Sequence, residues 1–281
     1  MVSKFEDIRR RRRLRTIAVL PTMFTLGNLV CGFFAIVVAA RIGMPDLTTI
    51  DPSEPTNIML SAWLIFLAMA FDALDGQVAR ISNTCSEFGM QLDSLCDLVT
   101  FGVAPGFLLV KMVPGFTYEH REIVWIIAAT FVVCAALRLA RYNVETADDD
   151  DHLSFRGLPS PAAAATIASF AIMFHSLRVK HSHFVLAREA DLVLQMVLPV
   201  LALLIALLMV SRIPYPHVVS RLFRGHNSFA QLVQLVFALV LVAVIRGYSV
   251  PLVCCAFALA SPARYFWDGF VLRRPHQEPL F

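Results

Sequence analysis

The chain has 281 residues, of which 58% are hydrophobic and only 16% are charged, and its mean hydropathy is +0.68. Soluble domains average about 45–50% apolar and about 25% charged residues, so this composition excludes an ordinary soluble domain and a disordered chain. The formal net charge of +3 does not indicate nucleic-acid binding. Long apolar segments along the chain instead predict a polytopic integral membrane protein.

The apolar segments predict an all-α membrane helix bundle with about eight transmembrane helices, because crossing a bilayer takes about 20 apolar residues. The segments are 17–40, 57–80, 91–113, 122–142, 158–177, 191–211, 229–246 and 249–265. Only Arg246, Gly247 and Tyr248 separate the last two, so a single re-entrant hairpin is an alternative there.

The basic N-terminal segment 1–16 sets the predicted orientation. It carries seven Lys and Arg residues, and cytoplasmic loops are enriched in these residues. The N-terminus is therefore predicted to be cytoplasmic, and eight spans return the C-terminus to the same side. In that arrangement 17 of the 24 Lys and Arg residues are cytoplasmic. The predicted organisation is a membrane core at 17–218, two additional spans at 219–266 and a cytoplasmic tail at 267–281.

Two consecutive apolar segments carry four aspartates near their predicted cytoplasmic ends. Asp72 and Asp75 lie in the second segment, and Asp93 and Asp97 lie in the third. Residues three or four positions apart share one face of a helix, so each pair forms a single acidic stripe. Ionisable residues within a membrane are costly and by default mark function.

Local signals predict that the two acidic stripes face each other. Residues 84–87 match the S/T-x-x-E capping box, which predicts a helix start near Cys85. The short turn at 82–84 then folds the second helix back on the first. Gly76 and Gly89 lie on the same faces as the carboxylates, and their missing side chains would let a bulky group approach the backbone.

Four clustered carboxylates cannot all stay ionised at low dielectric without a counter-charge, and Arg80 alone is too little. Hard oxygen ligands select Mg²⁺ or Mn²⁺, with Ca²⁺ also compatible, and this set could bridge two ions. The alternative is a set of helix caps and interhelical salt bridges. Asp72 and Asp75 argue against it, because a negative charge near a helix C-terminus opposes the helix dipole.

The same residues spell D-x2-D-G-x2-A-R-x8-G-x3-D-x3-D, from Asp72 to Asp97. This pattern resembles the signature of the CDP-alcohol phosphatidyltransferase family, with every position and every spacing kept. Further stretches resemble the phosphatidylserine synthase branch of that family. They are LPTMFTLGNLVCG at 20–32, ALRLARYNVE at 136–145, FRGLPSPAAAA at 155–165 and SRIPYPHV at 211–218. The resemblance covers most of the chain from about 17 to 218.

The resemblance implies metal-dependent transfer of the phosphatidyl group from CDP-diacylglycerol to the hydroxyl of L-serine, giving phosphatidylserine and CMP. It implies metal ligation by Asp72, Asp75, Asp93 and Asp97. Catalysis would rest on Asp93 and on Asp97, the latter as general base. Residues implied for CDP and phosphate binding are Asp72, Gly76, Ala79, Arg80 and Gly89. A homodimer in a bacterial-type inner or cell membrane, with the active site facing the cytoplasm, is the corresponding expectation.

Three arginines are predicted to contact the carboxylate of the serine acceptor, which needs a cation. Arg138 and Arg141 end the fourth apolar segment on the cytoplasmic side, and Arg156 precedes the fifth. The alternative is that arginines at these positions only complement a helix dipole and the positive-inside bias.

The sequence is also compatible with other functions. A sister enzyme could use glycerol 3-phosphate, inositol phosphate or choline, although a phosphorylated acceptor would need several more cations. An intramembrane prenyltransferase also uses Asp-rich metal sites, but in two separated clusters. A cation transporter with an Asp-lined site is the alternative from another class, and it would place the carboxylates at mid-membrane rather than near helix ends.

Overall fold

The computed structural model describes residues 22–42, 54–82, 87–147, 157–180, 185–213, 215 and 248–270. These ranges form helices with a few turn and irregular residues at their ends, and they contain no strands. The α-helices are α1 (Thr22–Ala40), α2 (Glu54–Ser82), α3 (Glu87–Asp97), α4 (Ala104–Met112), α5 (Pro114–Ala147), α6 (Ser160–His175), α7 (Val185–Val210) and α8 (Ser249–Phe270). Two π-helical segments, Leu98–Val103 and Ser176–Lys180, follow α3 and α6.

Within the described ranges, six helices are long and apolar enough to cross a membrane. They are Thr22–Ala40, Pro55–Gly76, Glu87–Met112, His120–Val144, Ser160–Val179 and Ala187–Val210. These match the first six predicted segments and confirm the all-helical membrane architecture. The predicted span 229–246 lies outside the described residues. The predicted span 249–265 falls on α8, whose apolar part, Ser249–Tyr265, is shorter than the other six.

Helix α6 lies at the centre of the bundle, where it packs against α2 and α8, while α5 packs along α7. Its buried face is rich in alanine, including Ala163, Ala164 and Ala168. Small residues let helix backbones approach closely. In lipid the hydrophobic effect contributes little to helix association, so this close van der Waals packing holds the helices together. Large apolar side chains such as Trp63 and Ile126 point outward, as a lipid-facing surface requires.

The third span changes from α-helical to π-helical hydrogen bonding in its middle. The apolar segment 91–113 predicts the span but not this change. The π-helical segment Leu98–Val103 interrupts the span directly after Asp97, and the N–H of Ala104 bonds to the carbonyl of Val99 five residues back. A π-turn adds one residue to a turn and commonly occurs at functional sites. This segment is uniformly apolar apart from Thr100, so the apolar pattern carries no sign of the extra residue.

Helix α1 approaches the π-helical segment closely at one glycine. A Cβ built on Gly32 would lie 2.9 Å from the Cα of Thr100, closer than side chains approach a backbone. Further along α1, the hydroxyl of Ser61 in α2 donates a 2.8 Å hydrogen bond to the carbonyl of Ala35. These contacts hold α1 against the two helices that carry the acidic residues.

We expect Gly32→Ala to destabilise the protein, because the new methyl group would push α1 away from Thr100. Overpacking of this kind costs about 1–3 kcal/mol. Gly27→Ala is the matched control in the same helix, since its Cβ would make an ordinary 3.5 Å contact with the ring of Phe71. Thermal unfolding in detergent, followed by a thiol-reactive dye at buried Cys96 and Cys134, measures both. Equal melting temperatures for the two variants would contradict the close approach.

Candidate active site

Helices α2 and α3 bring three of the four predicted metal ligands together. Asp72 and Asp75 lie at the end of the apolar part of α2, one turn apart, and Asp93 lies in the second turn of α3. One carboxylate oxygen from each of these residues lies within 4.8 Å of the other two. The facing acidic stripes expected from the sequence are therefore present for these residues.

The bonding of these carboxylates is incomplete. Asp75 is 5% exposed and contacts the hydroxyl of Thr25 and the backbone N–H of Gly76. Its Oδ2 and the Oδ1 of Asp93 are buried without a hydrogen-bond partner among the described residues. A buried carboxylate oxygen without a partner is costly, and a hard divalent cation is the group that such oxygens ligate best. The residues present therefore fit a divalent cation.

Asp97 lies beside this group rather than within it. It is 8% exposed and close enough to Asp72 and Asp93 to interact with them electrostatically. Its Oδ1 accepts a 2.9 Å hydrogen bond from the side-chain amide of Asn28 in α1. At 1.5 Å of rise per residue, Asp97 lies about 6 Å further along the span than Asp93. The four aspartates are thus arranged as a cluster of three with one deeper neighbour.

The positions predicted for nucleotide and phosphate binding lie on α2 and α3, within about two helical turns of the cluster. A Cβ built on Gly76 would meet no other atom of the described residues within 4 Å, so these residues leave the space beside this part of α2 open. Gly89 lies in the first turn of α3 and is half-buried. Ala79 and Arg80 belong to the last turns of α2, and their side chains lie outside the described part of the structure.

Two of the three predicted acceptor-binding arginines, Arg138 and Arg141, belong to the described residues, and their surroundings differ. Arg138 is near Asp72 and Asp97, and its Nη1 donates a 2.7 Å hydrogen bond to Ser160 at the start of α6. Its Nε is buried with no partner among the described residues. Arg141 instead donates to the carbonyl of Val210, the last residue of α7, at 2.8 Å. Arg156 lies outside the described residues.

The site borders the exposed outer surface of the bundle. Leu74, between Asp72 and Asp75, is 44% exposed, and Leu95, between Asp93 and Asp97, is 63% exposed. Each helix therefore presents carboxylates towards its partner and apolar side chains outward within the same turn.

Residues 18–208, well over half of the chain, match the sequence profile of CDP-alcohol phosphatidyltransferases. The chain belongs to the CDP-alcohol phosphatidyltransferase family. The match covers the first five spans, all but the last two residues of the sixth, and every described residue of the acidic site.

Curated relatives of this CDP-alcohol phosphatidyltransferase carry closely related names. A CDP-diacylglycerol–serine O-phosphatidyltransferase of Helicobacter pylori is 31% identical over 204 residues, which is 73% of this chain and 74% of the relative. One from Methanocaldococcus jannaschii is 31% identical over 210 residues, 75% of this chain and 80% of the relative. An archaetidylserine synthase of Methanothermobacter thermautotrophicus is 30% identical over 209 residues, 74% of this chain and 73% of the relative.

Several polar residues of this phosphatidyltransferase site were not predicted as site residues. Thr25 and Asn28 come from α1, one turn apart in an apolar helix, and contact Asp75 and Asp97. Ser160 contacts Arg138. All three lie in stretches that already resembled the family, and their polarity within apolar spans was the available signal.

Proposed function

We propose that the protein transfers the phosphatidyl group of CDP-diacylglycerol to the hydroxyl of L-serine, giving phosphatidylserine and CMP. The observation that carries this proposal is the cluster of Asp72, Asp75 and Asp93 with two unpartnered buried oxygens, within a complete family signature. The names of the curated relatives support serine as the acceptor.

In this reaction the serine oxygen forms a bond to the lipid-bearing phosphorus, and the bond from that phosphorus to the CMP oxygen breaks. The electron pair of the broken bond leaves with CMP, and the serine hydroxyl loses a proton. Asp97 is the proposed base, because an alcohol is a weak nucleophile and needs a carboxylate within hydrogen-bond reach. Its position beside the three-carboxylate cluster supports the base role for this side chain in addition to metal ligation.

The proposed cation ligands are Asp72, Asp75, Asp93 and, from the family resemblance, Asp97. A bound Mg²⁺ or Mn²⁺, with two ions as the expected number, would supply positive charge to offset the charge that develops on the pyrophosphate and the leaving CMP. Ca²⁺ is an alternative occupant. Gly76 leaves room for the nucleotide, and Arg80, in the same helix, is the proposed phosphate partner.

Purified protein in detergent with CDP-diacylglycerol and Mn²⁺ or Mg²⁺ tests the function against a panel of acceptors. We expect serine to release CMP, and glycerol 3-phosphate, inositol phosphate and choline to release little. A chelator should abolish release, and added Mg²⁺ or Mn²⁺ should restore it. CMP release with glycerol 3-phosphate alone would contradict the serine assignment, and full activity in chelator would contradict the metal requirement.

The surroundings of the arginines favour Arg138 as the group that binds the carboxylate of serine. Its Nε is buried and unpartnered within the described residues, whereas Arg141 holds the end of α7. We expect Arg138→Gln to raise the KM for serine about 10-fold or more, since hydrogen bonds to charged groups contribute about 1.5–3 kcal/mol. Arg141→Gln is the matched control, expected to lower the melting temperature with little change in this KM. The reverse pattern would assign the carboxylate to Arg141.

The membrane orientation and assembly are also proposals. The basic segment 1–16 supports a cytoplasmic N-terminus and a site that faces the cytoplasm of a bacterial-type membrane, where CDP-diacylglycerol headgroups and serine meet. Family resemblance supports a homodimer. Crosslinking in native membranes and labelling of the termini from each side test these two points.

A further inference from the structure

Asn28 is a polar side chain buried completely in the interior of the bundle, with an exposed fraction of 0%. Its Nδ2 donates a 2.9 Å hydrogen bond to Oδ1 of Asp97, which lies 69 residues away in sequence. A hydrogen bond from an amide to a carboxylate in a low-dielectric interior is strong and directional. Asn28 therefore restrains the rotation of the Asp97 carboxylate about its side chain.

The backbone at Asn28 is itself held in place. The hydroxyl of Thr100 in the π-helical segment donates a 3.2 Å hydrogen bond to the carbonyl of Asn28. One turn further along α1, Gly32 packs directly on Thr100. Asp97 immediately precedes the π-helical segment. The contacts of Thr100 with α1 therefore fix the backbones of Asn28 and Asp97 relative to each other.

A packing role alone does not explain an asparagine at this position. Its Oδ1 is buried and has no hydrogen-bond partner among the described residues, which costs about 1–3 kcal/mol. Leucine has nearly the same shape and would avoid that cost, but it would leave Oδ1 of Asp97 without its donor. The hydrogen bond to the Asp97 carboxylate therefore explains an amide at this position, and the apolar surroundings do not.

We propose that Asn28 is a positioning residue for Asp97, whose amide holds one carboxylate oxygen so that the other receives the proton of the acceptor hydroxyl. This inference rests on the proposed function, because it assigns Asn28 to the step in which Asp97 acts as base. The residues of the aspartate signature lie on α2 and α3 alone. The inference adds a residue of α1 to those that act in catalysis.

The test is a double-mutant cycle with Asn28→Leu and Asp97→Asn, measured as CMP release from CDP-diacylglycerol with serine in detergent. Asn28→Leu alone should lower kcat about 10- to 100-fold, the usual effect of losing a group that orients a catalytic ligand. The KM for CDP-diacylglycerol should stay within about 2-fold, because the amide acts on the base and not on nucleotide binding. In the Asp97→Asn background the same change should have little further effect, since residues acting as one unit are not additive.

Ser61→Ala is the matched stability control, because it removes another buried hydrogen bond of α1, to Ala35, away from Asp97. It should lower the melting temperature but leave kcat near that of the wild type. The proposal is overturned if Asn28→Leu reduces the rate equally in both backgrounds. An Asn28→Leu protein whose kcat equals that of Ser61→Ala also overturns it. This comparison can be made even if Asp97→Asn has no measurable rate. Failure of the proposed function is distinct, because the wild type itself would then release no CMP with serine.

Discussion

Replacing Asp97 by asparagine should nearly eliminate turnover while leaving CDP-diacylglycerol binding intact. Asparagine preserves the volume of this buried side chain but cannot take a proton from the acceptor hydroxyl. A positioned general base contributes about 10²- to 10⁴-fold to a rate, so a loss of at least 100-fold is expected. CMP release measures the rate, and equilibrium binding of labelled CDP-diacylglycerol measures the retained affinity.

Asp191→Asn is the control for this change. Asp191 is also largely buried, at 17% exposed, and its carboxylate pairs with Arg178 at 2.8 Å and with Gln195 at 2.6 Å, away from the acidic cluster. Its replacement should lower the melting temperature and leave the rate per folded molecule near that of the wild type. More than about a tenth of wild-type activity in Asp97→Asn would rule out the base role.

Gly157→Ala should produce the largest loss of stability of any single methyl addition at the described glycines. Gly157 has φ +84°, a conformation that costs a residue with a Cβ about 1–2 kcal/mol. A Cβ there would also contact the carbonyl oxygen of Met209 and lie 2.9 Å from that of Ser211. With overpacking, the expected total is about 3 kcal/mol or more.

The effect of Gly157→Ala should extend to the proposed acceptor-binding side of the site. The N–H of Gly157 bonds to the carbonyl of Ile213, and that of Leu158 bonds to the carbonyl of Leu208, so this segment ties the start of α6 to the end of α7. Ser160, the partner of Arg138, follows two residues after Leu158. We therefore expect a lower melting temperature together with a higher KM for serine. Gly27→Ala is again the control, and a Gly157→Ala protein as stable as that control would contradict the prediction.

The aspartate cluster could be predicted from the sequence because its geometry is local. The three- and four-residue spacings put Asp72 with Asp75 on α2 and Asp93 with Asp97 on α3, and only a short connection separates the helices. Helical periodicity together with a short connection decides which faces meet. The first six spans were predictable for a similar reason, since length and hydropathy suffice to identify them.

The contribution of α1 could not be predicted in the same way. The contact of Asn28 with Asp97 joins residues 69 positions apart, and periodicity within one helix does not specify which distant helix it faces. Arg138 and Arg141 also look alike in sequence. Their different partners, Ser160 for Arg138 and the carbonyl of Val210 for Arg141, depend on how α5 lies against α6 and α7.

The exposed Leu74 and Leu95 beside the carboxylates have a kinetic consequence. A two-tailed substrate would reach such a site by lateral diffusion within one leaflet, and its product would leave by the same route without desorbing. The rate then depends on the mole fraction of CDP-diacylglycerol in the micelle or bilayer, and not on its bulk concentration. Diluting the micelles or bilayers with inert lipid should slow the reaction at constant bulk substrate. Diluting the whole suspension while the serine concentration is held constant should leave the rate per enzyme molecule unchanged. Serine, which arrives from water, should obey its ordinary bulk concentration.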